Sequence, residues 1–380
     1  MNSGKNIRII TTIFMVAAIL FFSQALPAQE KSERLYPVKV KGKWGYINRQ
    51  GKIIIEPRFD AVWEFSDGMA RIGKKTNEPD NAAGRNFICG YIDQTGKVVI
   101  RPQYQFAEEF HEGLASVQIH SKIGFIDKTG KTAIEPKFDN CSIFSEGLAE
   151  ACEKNKCGYI DKNGVYVIEP KFDFSSRCSG SYFSEGLANV TINKRVSFID
   201  KSGKFVIRTQ GDKAFLFSEG MAAIRIGGGW GFIDRTGVVV VKPEFREVRN
   251  FSDGLACVLV GEQWGFIDKT GNMIIKPQLR WCRPFSEGIS IQSNDQGTYF
   301  MNKRGEIVSQ RHFDGFAYAF KDGIAEVEIL PGPWMSLVIQ LAYLTEYWYT
   351  NKHEFIMPEE YYYKIGYIQK DGAWLWEPRN

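Results

Sequence analysis

The chain has 380 residues, of which 44% are hydrophobic and 24% charged, which is ordinary for a globular protein and excludes a disordered chain. The formal net charge of +4 is too small to favour a nucleic-acid partner. Only four histidines are available for metal binding or acid–base chemistry. We therefore expect no cofactor and no nucleic-acid partner.

The N-terminus has the features of a secretory signal peptide. Lys5 and Arg8 precede an apolar run over Ile9–Phe22, and small residues follow at Ser23 and Ala25. This order is typical of a cleaved export signal, and the run is shorter than the roughly 20 apolar residues of a membrane-spanning helix. We expect residues 1–25 to be removed, and the mature chain to be exported to the periplasm, the cell surface or the medium without spanning a membrane.

The rest of the chain repeats one unit. The first unit begins with Trp44-Gly45-Tyr46-Ile47, and five of the eight intervals to later units are 34 residues long. A fixed period of this length is typical of repeat architectures. The Trp position is occupied in the later units by Cys89, Ile123, Cys157, Val196, Trp230, Trp264, Thr298 and Ile365.

Each unit is predicted to contain three short strands. Aromatic and β-branched residues form two runs, Trp230–Asp234 and Val238–Val241, that are too short for helices. Asp234 and Gly237 bound a turn, because Asp accepts the amides ahead of it and Gly adopts the left-handed conformation. Pro243 ends the second strand, and a third run begins at Gly254. One such meander cannot bury its apolar face alone, so neighbouring units must stack.

The recurring phrase Trp-Gly-Tyr/Phe-Ile-Asp-x-x-Gly-Lys, then Pro-x-Phe, then Phe-Ser-Glu-Gly-Leu-Ala resembles the WG-repeat (KWG) family of bacterial β-repeat proteins. The resemblance covers almost all of residues 35–380 and implies an all-β fold with a general role in binding or scaffolding. Ser197 and Tyr299 replace the glycine, so we expect those two units to pack less regularly. The repeat signature residues are Trp44, Gly45, Gly90, Gly124, Gly158, Trp230, Gly231, Trp264, Gly265 and Gly366.

The predicted fold is all-β, with about nine tandem three-stranded antiparallel meanders of about 34 residues. They form either a curved superhelical array or a propeller-like toroid. Propellers usually have four to eight blades of four strands, so nine three-stranded units favour the open array. Repeats 1–8 and the start of repeat 9 occupy residues 35–330, an insertion occupies 331–364, and repeat 9 ends over 365–380.

The insertion is the most aromatic stretch of the chain. Pro333 suits the first position of a helix, and leucines follow at helical spacing, which predicts a short helical segment. It is either a docking element for a protein, peptide or glycan, or a cap over the open end of the array. The candidate docking residues are Trp334, Tyr343, Tyr347, Trp348 and Tyr349.

Seven cysteines in an exported chain predict disulfides, with at least one cysteine left over. Cys152 and Cys157 flank a predicted tight turn and would face each other on adjacent antiparallel strands. Cys141 and Cys178 lie in related connections of neighbouring units and are the second candidate pair.

No motif indicates catalysis, since nucleophile-elbow and oxyanion-loop signatures are missing from the sequence. The repeated Asp residues at 93, 127, 161, 200, 234 and 268 fit turn chemistry better than calcium binding. Glutamates 146, 185, 219 and 287 precede glycines in turns, with a negative stripe for a partner as the alternative.

We therefore predict a non-enzymatic exported scaffold that binds an unknown protein or surface glycan at the bacterial envelope. One alternative is a carbohydrate-active or other hydrolytic enzyme that uses carboxylates between repeats. The other is a purely structural spacer.

Overall fold

The computed structural model describes residues 33–76, 87–174, 182–294, 297–311, 315–329 and 364–377. The predicted signal peptide, residues 331–363 with the predicted helix and docking residues, and Cys178 lie outside the described residues. Every regular element within the described ranges is a β-strand. None of the described segments is a helix with the length and apolarity needed to cross a bilayer.

The described strands form nine antiparallel sheets, here called blades 1–9 in chain order. Blades 1–3 contain β1 (Tyr36–Val40), β2 (Lys43–Ile47) and β3 (Ile53–Phe59); β4 (Ala61–Ser66), β5 (Met69–Lys75), β6 (Phe87–Asp93) and β7 (Val98–Tyr104); and β8 (Leu114–Ile119), β9 (Lys122–Asp127) and β10 (Thr132–Phe138). Blades 4–6 contain β11 (Asn140–Cys141), β12 (Ala149–Glu153), β13 (Lys156–Ile160) and β14 (Tyr166–Asp173); β15 (Ala188–Ile192), β16 (Arg195–Ile199) and β17 (Phe205–Arg208); and β18 (Lys213–Ala214), β19 (Met221–Ile226), β20 (Gly229–Asp234) and β21 (Val239–Phe245). Blades 7–9 contain β22 (Glu247–Val248), β23 (Ala256–Val260), β24 (Gln263–Ile267) and β25 (Met273–Leu279); β26 (Ile289–Asn294), β27 (Gly297–Asn302) and β28 (Ile307–Arg311); and β29 (Gly315–Ala317), β30 (Ile324–Ile329), β31 (Lys364–Gln369) and β32 (Trp374–Trp376).

The predicted meander is confirmed, and in five blades a fourth strand precedes it, with six residues in blade 2 and two or three in the others. The turn between the second and third long strands works as predicted. The Asp234 carboxylate accepts the backbone N–H groups of Thr236 and Val238 at 2.8 and 3.0 Å, and Gly237 has a φ of 86°. The other aspartates of this series accept the equivalent backbone groups of their own turns.

The glycine after the Trp position faces a bulge in the third strand. In blade 6, Trp230 pairs with Phe245 while Phe232 pairs with Val241, so the strand segment around Pro243 is displaced opposite Gly231. A Cβ atom on Gly231 would collide with the carbonyl oxygen of Val241. The glycine and the proline of the repeat therefore belong to one structural feature.

The expectation of less regular packing at Ser197 and Tyr299 is wrong. Ser197 pairs directly with Arg208, and Tyr299 pairs directly with Gln310, without the bulge opposite them. Neither third strand has the repeat proline, because Thr209 and Arg311 stand in its place. Without the bulge, a side chain fits where other blades require glycine.

The core lies between blades. Nine hydrophobic clusters are present among the described residues, and each joins two neighbouring blades. An open array of nine blades has only eight such interfaces. The ninth cluster joins Tyr36 and Val38 of blade 1 to Ile324, Ile365 and Tyr367 of blade 9. The blades within Leu35–Asn380 thus form a closed, propeller-like ring, and the preference for an open superhelix is wrong.

Closure of the ring buries the two apolar sheet faces that an open array would expose at its ends. Each end blade of an open array would expose an apolar sheet face, which costs roughly 25 cal/mol per Å². In the ring, the face of blade 1 covers that of blade 9, and the rings of Tyr36 and Tyr367 pack at 5.4 Å. A separate cap is therefore not needed to cover these faces.

The same aromatic contact recurs at the other interfaces. The ring two residues after the Trp position packs against the Phe of the next Phe-Ser phrase, with centroids 4.8–5.4 Å apart. These tilted and edge-to-face arrangements suit the quadrupoles of the two rings. The pairs are Tyr46–Phe65, Tyr91–Phe110, Phe125–Phe144, Tyr159–Phe183, Phe198–Phe217, Phe232–Phe251, Phe266–Phe285 and Phe300–Phe320.

Polar contacts made by the Ser-Glu-Gly turn add to each interface, and we call them the latch. The Ser218 hydroxyl donates to the Phe251 carbonyl of the next blade at 2.9 Å. The Glu219 carboxylate accepts the Gly254 amide at 2.9 Å and pairs with Lys269 at 3.3 Å, both also in the next blade. Glu219 has a φ of 54°, an unfavourable left-handed conformation for this residue type. The conformation is retained because it directs the carboxylate at the neighbouring blade.

We predict that Glu219→Ala lowers the free energy of unfolding by about 1–2 kcal/mol, because the Gly254 amide loses a charged acceptor. Glu219→Asp should retain most of that stability, since Asp253 makes the same contact to Gly288 in the next interface. Urea unfolding of both variants measures the difference. Equal destabilisation by the two substitutions would contradict the latch.

Candidate binding surface

The carboxylates between blades are used by the latch. Acidic residues of seven successive turns each accept the backbone N–H of the glycine in the next blade. Six of them also pair with a Lys or Arg of that blade at 2.9–3.5 Å. Partial burial alone would raise the pKa of Glu146, yet the Gly186 amide and Lys201 hold it below its usual value. Six of the seven groups are thus neutralised by an ion pair, and the turns do not present a free negative stripe. The seven residues are Asp67, Glu112, Glu146, Glu185, Glu219, Asp253 and Glu287.

The described histidines lie apart in the fold. His111 replaces the latch serine and forms the backbone pair with Leu114. His120 lies in the turn between β8 and β9, beside a shallow depression of about 390 Å³ that also contacts Glu135. His312 and His353 lie outside the described residues. The described part of the chain therefore brings no two histidines into one site.

Cys152 and Cys157, the pair favoured by the sequence, are joined in a disulfide in the structure. They lie directly opposite each other on β12 and β13, with Cα atoms 4.0 Å apart. The Glu150 carboxylate lies close to both sulfur atoms, which makes the three residues a possible ligand group, although both sulfurs are held in the disulfide. Cys141 makes no disulfide, and its proposed partner Cys178 lies outside the described residues.

A second disulfide, Cys257–Cys282, was not predicted. Cys257 occupies the position after Leu-Ala at the start of the blade, which we call the cross-blade position. Residues at this position reach the connection that leads into the next blade: the Arg71 guanidinium donates to the Ala107 carbonyl, and the Asn189 amide donates to the Ala214 carbonyl at 2.9 Å. Cys282 is five residues after the repeat Pro, the same offset as Ala107. The two offsets are visible in the sequence, but that they meet follows only from the packing of one blade on the next.

The cross-blade position of blade 9 holds Glu326, which is half-buried at the ring closure. The Tyr367 hydroxyl lies 2.7 Å from the Pro37 carbonyl of blade 1 and 3.1 Å from Glu326 Oε2. The Tyr367 hydroxyl is the donor to both oxygens, so its single proton is shared between the Pro37 carbonyl and the Glu326 carboxylate. Burial, together with the nearby carboxylates of Glu328 and Glu64, raises the pKa of Glu326 to about 7 against the opposing effects of Tyr367 and Lys321.

An exposed aromatic surface lies where blades 7, 8 and 9 meet, and we call Trp281, Arg283 and Tyr318 the aromatic–arginine surface. Trp281 is 52% exposed and Tyr318 is 42% exposed. The Arg283 guanidinium lies 5.8 Å from the Tyr318 ring centroid, within reach of a cation–π interaction. Most other exposed large hydrophobic residues belong to the third strand of a blade, an edge strand that the repeat proline and charged residues protect from pairing.

The backbone of this surface is fixed on both sides. Cys282 is bonded to Cys257, and the Arg283 carbonyl accepts from the Ser290 hydroxyl at 2.6 Å and from the Gln292 amide at 3.2 Å. Ser290 and Gln292 are buried polar residues of β26. A segment held this way loses little conformational entropy when a partner binds, which favours affinity.

The repeat signature matches one family model, that of the WG containing repeat, over residues 44–75, 90–122, 123–157, 158–195, 197–230, 230–263, 264–291 and 300–329. The chain belongs to this family. No curated protein sequence matches the chain. A WG-repeat scaffold or binding domain is therefore the functional class that the family supports.

Solved structures with a similar arrangement include a eukaryotic initiation factor, with 12% identity and a TM-score of 0.48 over 74% of this chain and 88% of the other. BamB from Moraxella catarrhalis has 10% identity and a TM-score of 0.42, over 78% of this chain and 91% of the other. The extracellular domain of the putative one component system BT4673 from B. thetaiotaomicron has 13% identity and a TM-score of 0.35, over 82% and 55%. Nothing about function follows from likenesses this distant.

We predict that the two disulfides stabilise the fold unequally. In the loop-entropy relation, closing a loop of 25 residues stabilises a protein by about 3.5 kcal/mol and closing one of five by about 2 kcal/mol. Cys257→Ala/Cys282→Ala should therefore reduce the free energy of unfolding more than Cys152→Ala/Cys157→Ala. Urea unfolding under non-reducing conditions tests the order, and the reverse order would refute it.

We also predict a pH-dependent effect of Glu326→Gln. The folded state holds the Glu326 proton more tightly than the unfolded state, so wild-type stability falls as the pH rises from about 4.5 through 7. The glutamine variant lacks this loss and should be more stable than the wild type by up to about 3 kcal/mol at pH 8, with little difference at pH 4. Thermal unfolding between pH 4 and 8 measures it, with exposed Glu247→Gln as the control. A difference that is independent of pH would show that folding leaves the pKa of Glu326 unchanged and would refute the prediction.

Proposed function

We propose that this protein is a non-enzymatic exported scaffold that binds a protein or surface glycan at the bacterial envelope. The observation that carries this proposal is the aromatic–arginine surface. Trp, Tyr and Arg are the residue types that dominate binding energy in protein interfaces. Here Trp281 and Tyr318 are exposed, and the half-buried Arg283 lies 5.8 Å from the Tyr318 ring on a backbone fixed by a disulfide and by buried hydrogen bonds.

Export is supported by the signal-like N-terminus and by the two disulfides. Disulfides persist in oxidising compartments and are rare in the cytosol. Cys257–Cys282 connects the start of blade 7 to the connection entering blade 8, which is the segment that carries Trp281 and Arg283. In this proposal, export and binding are linked. An oxidising compartment allows the disulfide to form, and the disulfide fixes the segment that carries the binding residues.

The hydrolase alternative depended on carboxylates between repeats. All seven of those carboxylates accept a backbone amide and six also pair with a cation, which favours the scaffold proposal over the hydrolase. The spacer alternative requires a surface that can be changed without effect. It is distinguished from the scaffold proposal by substitutions on the aromatic–arginine surface.

We predict that Trp281→Ala/Tyr318→Ala abolishes capture of an envelope partner while the melting temperature stays within a few degrees of wild type. Phe174→Ala is the matched control, because Phe174 has the same offset from its repeat proline as Trp281 and is 39% exposed. Crosslinking in envelope extracts, followed by quantification of the captured species, measures the effect.

Unchanged capture by the double variant would contradict a role for this surface. Deleting residues 331–363 in the same experiment then tests the other candidate, the aromatic insertion with Trp334, Tyr343, Tyr347, Trp348 and Tyr349. If neither change affects any captured species, the spacer alternative is favoured.

A further inference from the structure

A second surface feature lies near the aromatic–arginine surface, where the connections of blades 6, 7 and 8 meet. It is a shallow, open cleft of about 420 Å³, within the range of roughly 300–1,000 Å³ that is typical of ligand sites. The half-buried Phe215 ring and Pro284 form apolar walls. Arg249, Asn250 and the hydroxyls of Ser218 and Ser252 supply its polar groups.

Arg249 gives the cleft a positive charge that the described part of the protein does not neutralise. Its side chain is exposed, and its guanidinium lies 5.6 Å from the Trp264 ring centroid. No ion pair joins it to a carboxylate among the described residues, Glu247 included. Its backbone amide is fixed by a 3.0 Å hydrogen bond to Cys257, the cysteine of the inter-blade disulfide. A guanidinium held in this way suits a planar carboxylate.

The other polar groups of the cleft include three oxygen atoms that can accept hydrogen bonds. Asn250 Oδ1 is buried and has no hydrogen-bond partner within the described structure. The Ser218 and Ser252 hydroxyls donate their protons to the Phe251 and Phe285 carbonyls, so their oxygens retain lone pairs that can only accept. A matching ligand must therefore bring several donors as well as one anionic group.

We propose that this cleft binds a hexuronate residue of an acidic glycan. A uronic acid carries one carboxylate for Arg249 and several hydroxyl donors for Asn250 and the two serines, and the C–H face of its ring suits Phe215. An acidic peptide offers a carboxylate but few donors near it, so it satisfies Arg249 and leaves the acceptors unpaired. The inference rests on the proposed binding function and names a ligand class for it.

The test is calorimetric titration of the full chain with a galacturonic acid trisaccharide, a neutral galactose trisaccharide and a triglutamate peptide. We expect the acidic saccharide to bind about tenfold or more tightly than either of the others, with an affinity that falls as salt rises. Arg249→Gln and Asn250→Asp should each weaken it by about tenfold or more, the second because it places a carboxylate beside the ligand's own. Exposed Arg101→Gln on β7 is the matched control and should change affinity by less than about twofold.

No binding of the acidic saccharide, equal binding of the neutral saccharide, or equal binding of triglutamate would each overturn the inference. An equal loss with Arg101→Gln would do the same, because it would show attraction by net charge alone. The Arg249 side chain is exposed, so an unchanged melting temperature is expected for Arg249→Gln and separates loss of binding from loss of fold. Failure here with a partner still captured through Trp281 and Tyr318 leaves the scaffold proposal standing.

Discussion

The contact on which the fold depends is the one between a buried aromatic ring in one blade and the phenylalanine of the next. Each blade buries its apolar face only against its neighbour, so no blade has a core of its own. The latch lies directly beside this contact, since its serine follows the phenylalanine in sequence. Aromatic packing buries apolar surface between the blades. The hydrogen bonds of the latch orient each blade relative to the next, and they are made from a turn with a left-handed backbone. Together they repeat one geometry around the ring until the first and last blades meet.

The latch also explains how the chain uses its charges. A two-residue turn of this type favours Asn-Gly or Asp-Gly, and this chain most often has Glu-Gly. The acidic side chain, whether Glu or Asp, reaches a backbone amide of the next blade and in six of seven turns also a cation, which offsets the cost of the left-handed conformation. Acidic residues that would suggest chemistry in a sequence therefore have a structural role. Specialisation occurs instead at the cross-blade position, where Arg71, Asn189 and Cys257 contact the same connection by different chemistry and Glu326 occupies the ring closure.

The bulge shows why one position of the repeat cannot be interpreted without the position that it contacts in the folded chain. Ser197 and Tyr299 looked like defects because a glycine was missing, but the proline of the same unit was missing too. The steric demand of that glycine comes from the backbone of the third strand, which is about ten residues away in sequence. The same applies to Cys257–Cys282, for which the offsets were visible but their proximity depends on how blades pack. The aromatic–arginine surface likewise depends on residues from separate blades.

The sequence by itself determined the repeat, the three-stranded unit, its turns and the family, because all of these are encoded within about 34 residues of local pattern. Asp and Gly at fixed offsets specify a turn whatever surrounds them, and short β-branched runs specify strands. Only the tertiary structure decided that the array closes. Closure depends on the angle accumulated over nine interfaces and on contacts such as that between Tyr367 and Pro37, which are 330 positions apart. No local pattern specifies that angle, so the closure, the inter-blade disulfide and the proposed binding surfaces that depend on them became visible only in the folded chain.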